Sequence, residues 1–203
     1  MKIIKLLLLL VIIIVIIPSC KKGDNDPFLS LRSRKARITG NWELITGTTI
    51  YTFNDTTESV TYYENKVDVV YSTTDAGTIA SGTYSYTEKW NINKDYTFKI
   101  IQNFFDYRKE ISGYWSFYNK DKNLELKNKE AIIFRIFSEK IIYITSGVNN
   151  SEYAYSGTYC PDFLFFIDKL TNKEIIVKYE GTSIFPYSSE SGKGTMTFKQ
   201  GKD

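Results

Sequence analysis

Glu88 is the side chain whose type and position raise the sharpest chemical question. It lies in an alternating run in which Tyr84, Tyr86, Trp90 and Ile92 share its parity, while Thr83, Ser85, Thr87, Lys89 and Asn91 take the other. A carboxylate on the inward face of a strand is costly unless it is paired, hydrogen-bonded or wet. Two arrangements follow: Glu88 is a polar contact inside a ligand cavity, or a bulge between Thr87 and Lys89 turns it to solvent or to a water-filled rim. Gln102 has the same parity on the return strand and raises the same question without a charge. If the interior is hollow, Tyr84, Tyr86, Glu88, Trp90, Gln102 and Trp115 form the candidate ligand-binding set.

Catalysis has little to draw on. The chain has 0 histidines, which excludes Ser-His-Asp and Cys-His arrangements, histidine-bearing zinc sites and a histidine general base. Two-carboxylate glycosidase chemistry stays formally open, but no spacing nominates a pair. No Gly-rich phosphate loop joins a strand to a helix, and no calcium loop is present. No enzymatic activity, cofactor or metal is expected. Aromatic residues are plentiful, with 3 Trp, 16 Tyr and 13 Phe. Strands favour them for packing, so Trp42, Trp90 and Trp115 read as core or floor residues. Tyr62 or Tyr63, Tyr71, Phe105 and Tyr187 read as outward positions that can stack on a glycan.

The elements that must hold Glu88 are strands. Tyr, Phe, Ile, Val and Thr dominate from Thr39 onward, and turn clusters recur at Asn93-Lys94-Asp95, Asn119 to Asn123, Ser138-Glu139-Lys140, Thr171-Asn172 and Ser188 to Gly194. The clearest unit is a hairpin from Gly82 to Asp106. Its return strand places Tyr96, Phe98, Ile100, Gln102 and Phe104 on the apolar face, with a three-residue connection, Asn93 to Asp95, pairing Ile92 with Tyr96 and setting Gln102 opposite Tyr86. A one-residue slip would bury Lys89 and Lys99 instead. Gly is followed two residues later by an aromatic at Gly40, Gly82, Gly113 and Gly157, which reads either as a duplication or as a bend opening each strand. Before the strands, Asp26-Pro27 suits a helix start, Arg34, Lys35 and Arg37 suit its end and Gly40 stops it, so a short helix is expected from Pro27 to about Arg37. The fold class expected is all-β, an antiparallel up-and-down barrel of about eight to ten strands with a short N-terminal helix.

The N-terminal segment speaks to location. Lys2 and Lys5 precede an apolar run from Leu6 to Ile17, and Pro18-Ser19 lead directly to Cys20. That is the layout of a lipoprotein signal, the run being short of the about 20 apolar residues a membrane span needs. The division expected is 1–19 signal peptide, 20–38 lipidated tether and short helix, and 39–203 barrel domain, with Cys20 the lipid anchor. Cys160 is then left without a partner and reads as a small buried residue. The formal charge is +3, but the basic residues crowd the front of the chain, notably Arg32-Ser33-Arg34-Lys35-Ala36-Arg37. That cluster is a solvated tether or a contact for anionic headgroups. The body is slightly acidic, so nucleic acid is not an expected partner, and a monomer is.

The Gly40-Asn41-Trp42 opening after a short helix, followed by strand-turn-strand units such as Trp90 to Ile101 and Gly113 to Leu126, resembles the lipocalin-like lipoproteins of Bacteroidota over roughly Pro27 to Lys199. A cysteine followed by Lys and then acids, here Lys21, Asp24 and Asp26, is similar to the surface-export tags of those bacteria. The resemblance implies an outer-membrane lipoprotein, facing the surface or the periplasm, whose barrel holds a small apolar or amphipathic ligand in its mouth. The alternative is a filled-core module that binds a partner or a glycan at its surface. Asp55-Thr56-Thr57 resembles the O-glycosylation acceptor of these bacteria, with Thr56 as the acceptor; the same three residues also suit an Asx-type turn. The Thr-Asp-Tyr element of classical lipocalins is absent.

Overall fold

The computed structural model describes residues 32–124, 126, 130–144, 151–154, 162–182 and 191–201. A single helix among them, α1 (Arg34–Ile38), leads into β1 (Gly40–Phe53), β2 (Thr56–Tyr63), β3 (Lys66–Thr73), β4 (Gly77–Ile92), β5 (Thr97–Phe104) and β6 (Tyr107–Phe117). Then follow β7 (Ala131–Tyr143), β8 (Ser151–Ala154), β9 (Asp162–Leu170), β10 (Glu174–Thr182) and β11 (Ser191–Gln200). Every pairing is antiparallel, and β11 returns to β1 while β6 pairs with β7 and β7 with β9, so ten strands close a barrel and β8 adds to the far half of β7. The all-β, lipocalin-like barrel with a short helix that the sequence predicts is the observed fold.

The register makes the barrel uneven along its length. At one end Gly40–Glu43 of β1 pair directly with Lys89–Ile92 of β4, so Trp42 lies opposite Trp90. Further along, the β2–β3 hairpin is inserted between the same two strands. The barrel therefore has eight strands around its narrow end and ten where the hairpin enters, and diameter grows with strand number. The narrow end is filled: Trp42, Phe134, Phe198, Leu170 and Ile175 are fully buried, and Trp90 packs on Phe198, Phe134 and Phe165 with ring centroids 4.1, 5.2 and 5.2 Å away. The helix α1 plugs it. Ser33 caps the helix by accepting from Ala36 N, Trp42 Nε1 donates to Ile38 O at 2.7 Å, and Arg37 Nη1 donates to Leu170 O at 2.6 Å. Among the described residues, core, plug and closing ladder form one continuous unit.

Four expectations need correction. The helix begins at Arg34, with Ser33 in extended backbone as its N-cap, so it does not run from Pro27 as expected; it ends at Ile38 with Thr39 as its cap, and Gly40 opens β1 rather than stopping α1. Pro27 itself lies outside the described residues. The β4–β5 turn holds four residues, with Asn93 N donating to Thr97 O, so Ile92 faces Phe98 and not Tyr96. Tyr96 has a φ of 70° and stands outside the ladder, which moves the register by two residues and keeps the same face inward. Ser138-Glu139-Lys140 is not a turn but the middle of β7, and Gly192 to Gly194 belong to β11. Gly82 and Gly113 sit inside strands rather than opening them; a Cβ at Gly113 would stand 1.9 Å from Arg135 O, so close backbone approach explains that glycine. The leader, Cys20, Gly157, Cys160, Tyr187 and 188–190 lie outside the described residues.

Candidate functional site

Four neighbouring strands align their inward side chains in layers. Nearest the narrow end, Trp90, Ile100, Ile111 and Glu139 lie side by side across β4, β5, β6 and β7; the next layer is Glu88, Gln102, Lys109 and Ile141; the third is Tyr86, Phe104, Tyr107 and Tyr143. The alternation of each strand thus yields a polar stripe within an apolar wall. Glu139 bonds Lys109 across the layers at 3.0 Å.

Glu88 is 5% exposed and points inward, so no bulge turns it to solvent. Its Oε1 accepts from Trp90 Nε1 at 2.5 Å, and its Oε2 accepts from Gln102 Nε2 at 3.0 Å and from the Tyr86 hydroxyl. Each hydrogen bond to a charged group contributes about 1.5–3 kcal/mol, which offsets the desolvation of the carboxylate. Burial, and then the adjacent Glu88 charge, push the Tyr86 phenol well above its ordinary range. Tyr62, whose ring lies 5.3 Å from that of Tyr86, is raised mainly by burial. Both phenols therefore stay neutral; Tyr86 donates to Glu88, and Tyr62 accepts from Thr49 Oγ1 at 3.4 Å.

The facing wall is built differently. On β1, β10 and β11, Tyr51 lies opposite Gly192, Gly192 opposite Gly181, and Tyr179 opposite Gly194. A Cβ on Gly192 would meet the Tyr51 ring at 2.9 Å and that of Tyr179 at 3.3 Å, and one on Gly194 would meet Tyr179 at 2.9 Å. The glycines make room for tyrosine rings that lie against bare backbone. Burial, with Tyr51 nearby, raises the Tyr179 phenol as well.

Between these walls is a cavity of about 520 Å³, within the size range of small-molecule sites. Glu88, Gln102 and Lys109 line one side, Tyr51, Tyr62 and Tyr179 another, and Trp90, Ile100, Ile111 and Met196 the depth. The β9–β10 ladder stops at Phe166 and Lys178. Beyond it, Phe163, Leu164 and Phe165 of β9 and Tyr179, Glu180 and Gly181 of β10 form no pairs with each other among the described residues, and both groups line the cavity. The cavity thus reaches the gap between these strands.

Of the six predicted ligand-binding residues, four come together: Glu88, Trp90 and Gln102 on the cavity, and Tyr86 bonded to Glu88. Gln102 faces Glu88 rather than Tyr86. The other two do not join them. Tyr84 is half exposed beyond the barrel rim against Phe104 and Phe105, and Trp115 is buried behind the Asn93 turn, donating to Asn93 O at 2.8 Å. Of the alternatives Tyr62 and Tyr63, Tyr63 is the outward one, exposed like Tyr71 and Phe105, while Tyr62 lines the cavity. Thr56 begins β2 after a two-residue turn, Asn54-Asp55. Sequence reasoning missed Tyr51, Tyr179, Lys109 and Glu139; the parity of β6 carried a signal for Lys109, two residues from Ile111. Compared with known proteins, the chain matches no protein-family model and no curated protein.

Proposed function

We propose that this protein is a lipid-anchored envelope lipoprotein, similar to the lipocalin-like lipoproteins of Bacteroidota, whose barrel carries a small amphipathic ligand. The observation that carries the reading is the cavity itself, with a polar stripe on one wall, tyrosines on the other and an aromatic floor beneath. Carriers bind in concave, mostly apolar sites with a few placed polar groups. No step of catalysis is assigned to it. In this reading Cys20 carries the lipid, the outer membrane is the location, the barrel acts as a monomer, and Thr56 is the acceptor if the chain is O-glycosylated.

The test is binding of N-phenyl-1-naphthylamine, an apolar fluorophore, to residues 26–203. One saturable site is expected, lost when Ile111→Phe fills the cavity. Non-saturable uptake, or uptake indifferent to Ile111→Phe, contradicts the reading. The anchor is tested separately by palmitate labelling, which Cys20→Ser should abolish.

A further inference from the structure

Among the described residues, the hollow end of the barrel carries more acid than base. Glu88 and Glu139 are both buried, and Lys109, the cation that the described residues contribute to the cavity lining, is bonded to Glu139 at 3.0 Å. The other buried cations among the described residues, Arg34 and Arg37, belong to the plug helix at the narrow end. The donors to Glu88 are a phenol, an indole and an amide, all neutral. They orient the carboxylate without neutralising it, and Oε1, with Trp90 as its donor, keeps an acceptor position. Glu139 Oε2 is buried with no hydrogen-bond partner among the described residues. A second anion brought into this space meets two carboxylates and a lysine already engaged, a costly arrangement. A cation meets a preoriented carboxylate and the tyrosine rings of the facing wall, which attract positive charge.

From this we infer that the ligand is an amphiphile with a cationic head, a protonated amine or its alkylated equivalent, seated on Glu88. Its apolar part lies against Phe163, Phe165 and Met196, toward the gap between β9 and β10. The inference rests on the amphipathic-ligand reading above and adds the charge of the head.

The experiment titrates residues 26–203 with decylamine, decanol and decanoate, each below its micelle concentration. Binding is read from the indole N–H resonances. Trp90 donates to Glu88, whereas Trp42 and Trp115 donate to backbone carbonyls. Decylamine should move the Trp90 signal alone and bind at least about tenfold more tightly than decanol, with decanoate weakest. Glu88→Gln, which keeps the shape and one acceptor oxygen while an amide donor replaces the other, should erase the preference for decylamine over decanol while retaining decanol. Decanoate binding as tightly as decylamine in the unaltered chain, or a preference that survives Glu88→Gln, overturns the cationic head and leaves the carrier reading standing. Failure of all three probes to bind overturns both.

Discussion

The two ends of this barrel are made from the same strands, yet one is solid and the other hollow. At the narrow end, inward positions are Trp42, Trp90, Phe134 and Phe198, eight strands surround them and α1 covers them. At the wide end, the β2–β3 hairpin enlarges the ring while β11 offers Gly192 and Gly194 to the interior. Added circumference and reduced side-chain volume act together, and space is the result. Where wall and filling match, the interior reaches the density of a protein core; where they diverge, a cavity persists.

Strand β11 allows the sharpest break of this comparison, because Phe198 and Met196 are inward neighbours on either side of the boundary. Phe198→Ala should cost about 3–5 kcal/mol in urea unfolding, and Met196→Ala, already beside empty space, less than about 2 kcal/mol. Equal losses would mean the wide end is as tightly filled as the floor. Next in size is Glu88→Leu, which removes the acceptor of Tyr86, Trp90 and Gln102 together. A loss of about 1–3 kcal/mol is expected, with Glu88→Gln milder, and the leucine variant should also change ligand affinity.

Alkaline titration probes the same boundary without mutation. Tyr62, Tyr86 and Tyr179 are raised in the folded state, whereas an unfolded tyrosine ionises near about pH 10. The folded chain thus holds protons that the unfolded chain releases. Their contribution is complete below about pH 10 and declines as pH rises above it. Tyrosinate absorbance should appear in two stages, exposed rings first and these three only as circular dichroism reports unfolding. The smallest effect belongs to the outer surface. Lys89 and Glu43, 2.6 Å apart outside the floor, are both solvent-exposed, and Lys89→Ala should cost at most about 1 kcal/mol, shrinking with salt.

Period-two alternation made Glu88 legible as an inward carboxylate, and it survived an error of two residues in the hairpin register because an even shift preserves the face. That error came from Tyr96, an apolar-looking residue whose positive φ places it in the turn. Glu139 was hidden for the opposite reason. Ser138-Glu139-Lys140 has the composition of a turn, and only the fold brings Lys109 to Glu139. The run from Ser191 to Gly194 also looks like a loop until Tyr51 and Tyr179 are seen lying on its glycines. Local pattern therefore found the wall, while the partners across the barrel, being distant in sequence, were not readable from it.

The central claim, a hollow wide end above a packed floor, is tested most directly by a crystal structure of residues 26–203 grown with 10-bromodecanol and phased on bromine anomalous scattering. One interior bromine peak is predicted, between the Glu88–Lys109 stripe and the Tyr179–Phe163 side. No interior peak, with the rings of Tyr51, Tyr62 and Tyr179 closed onto Glu88, would contradict it.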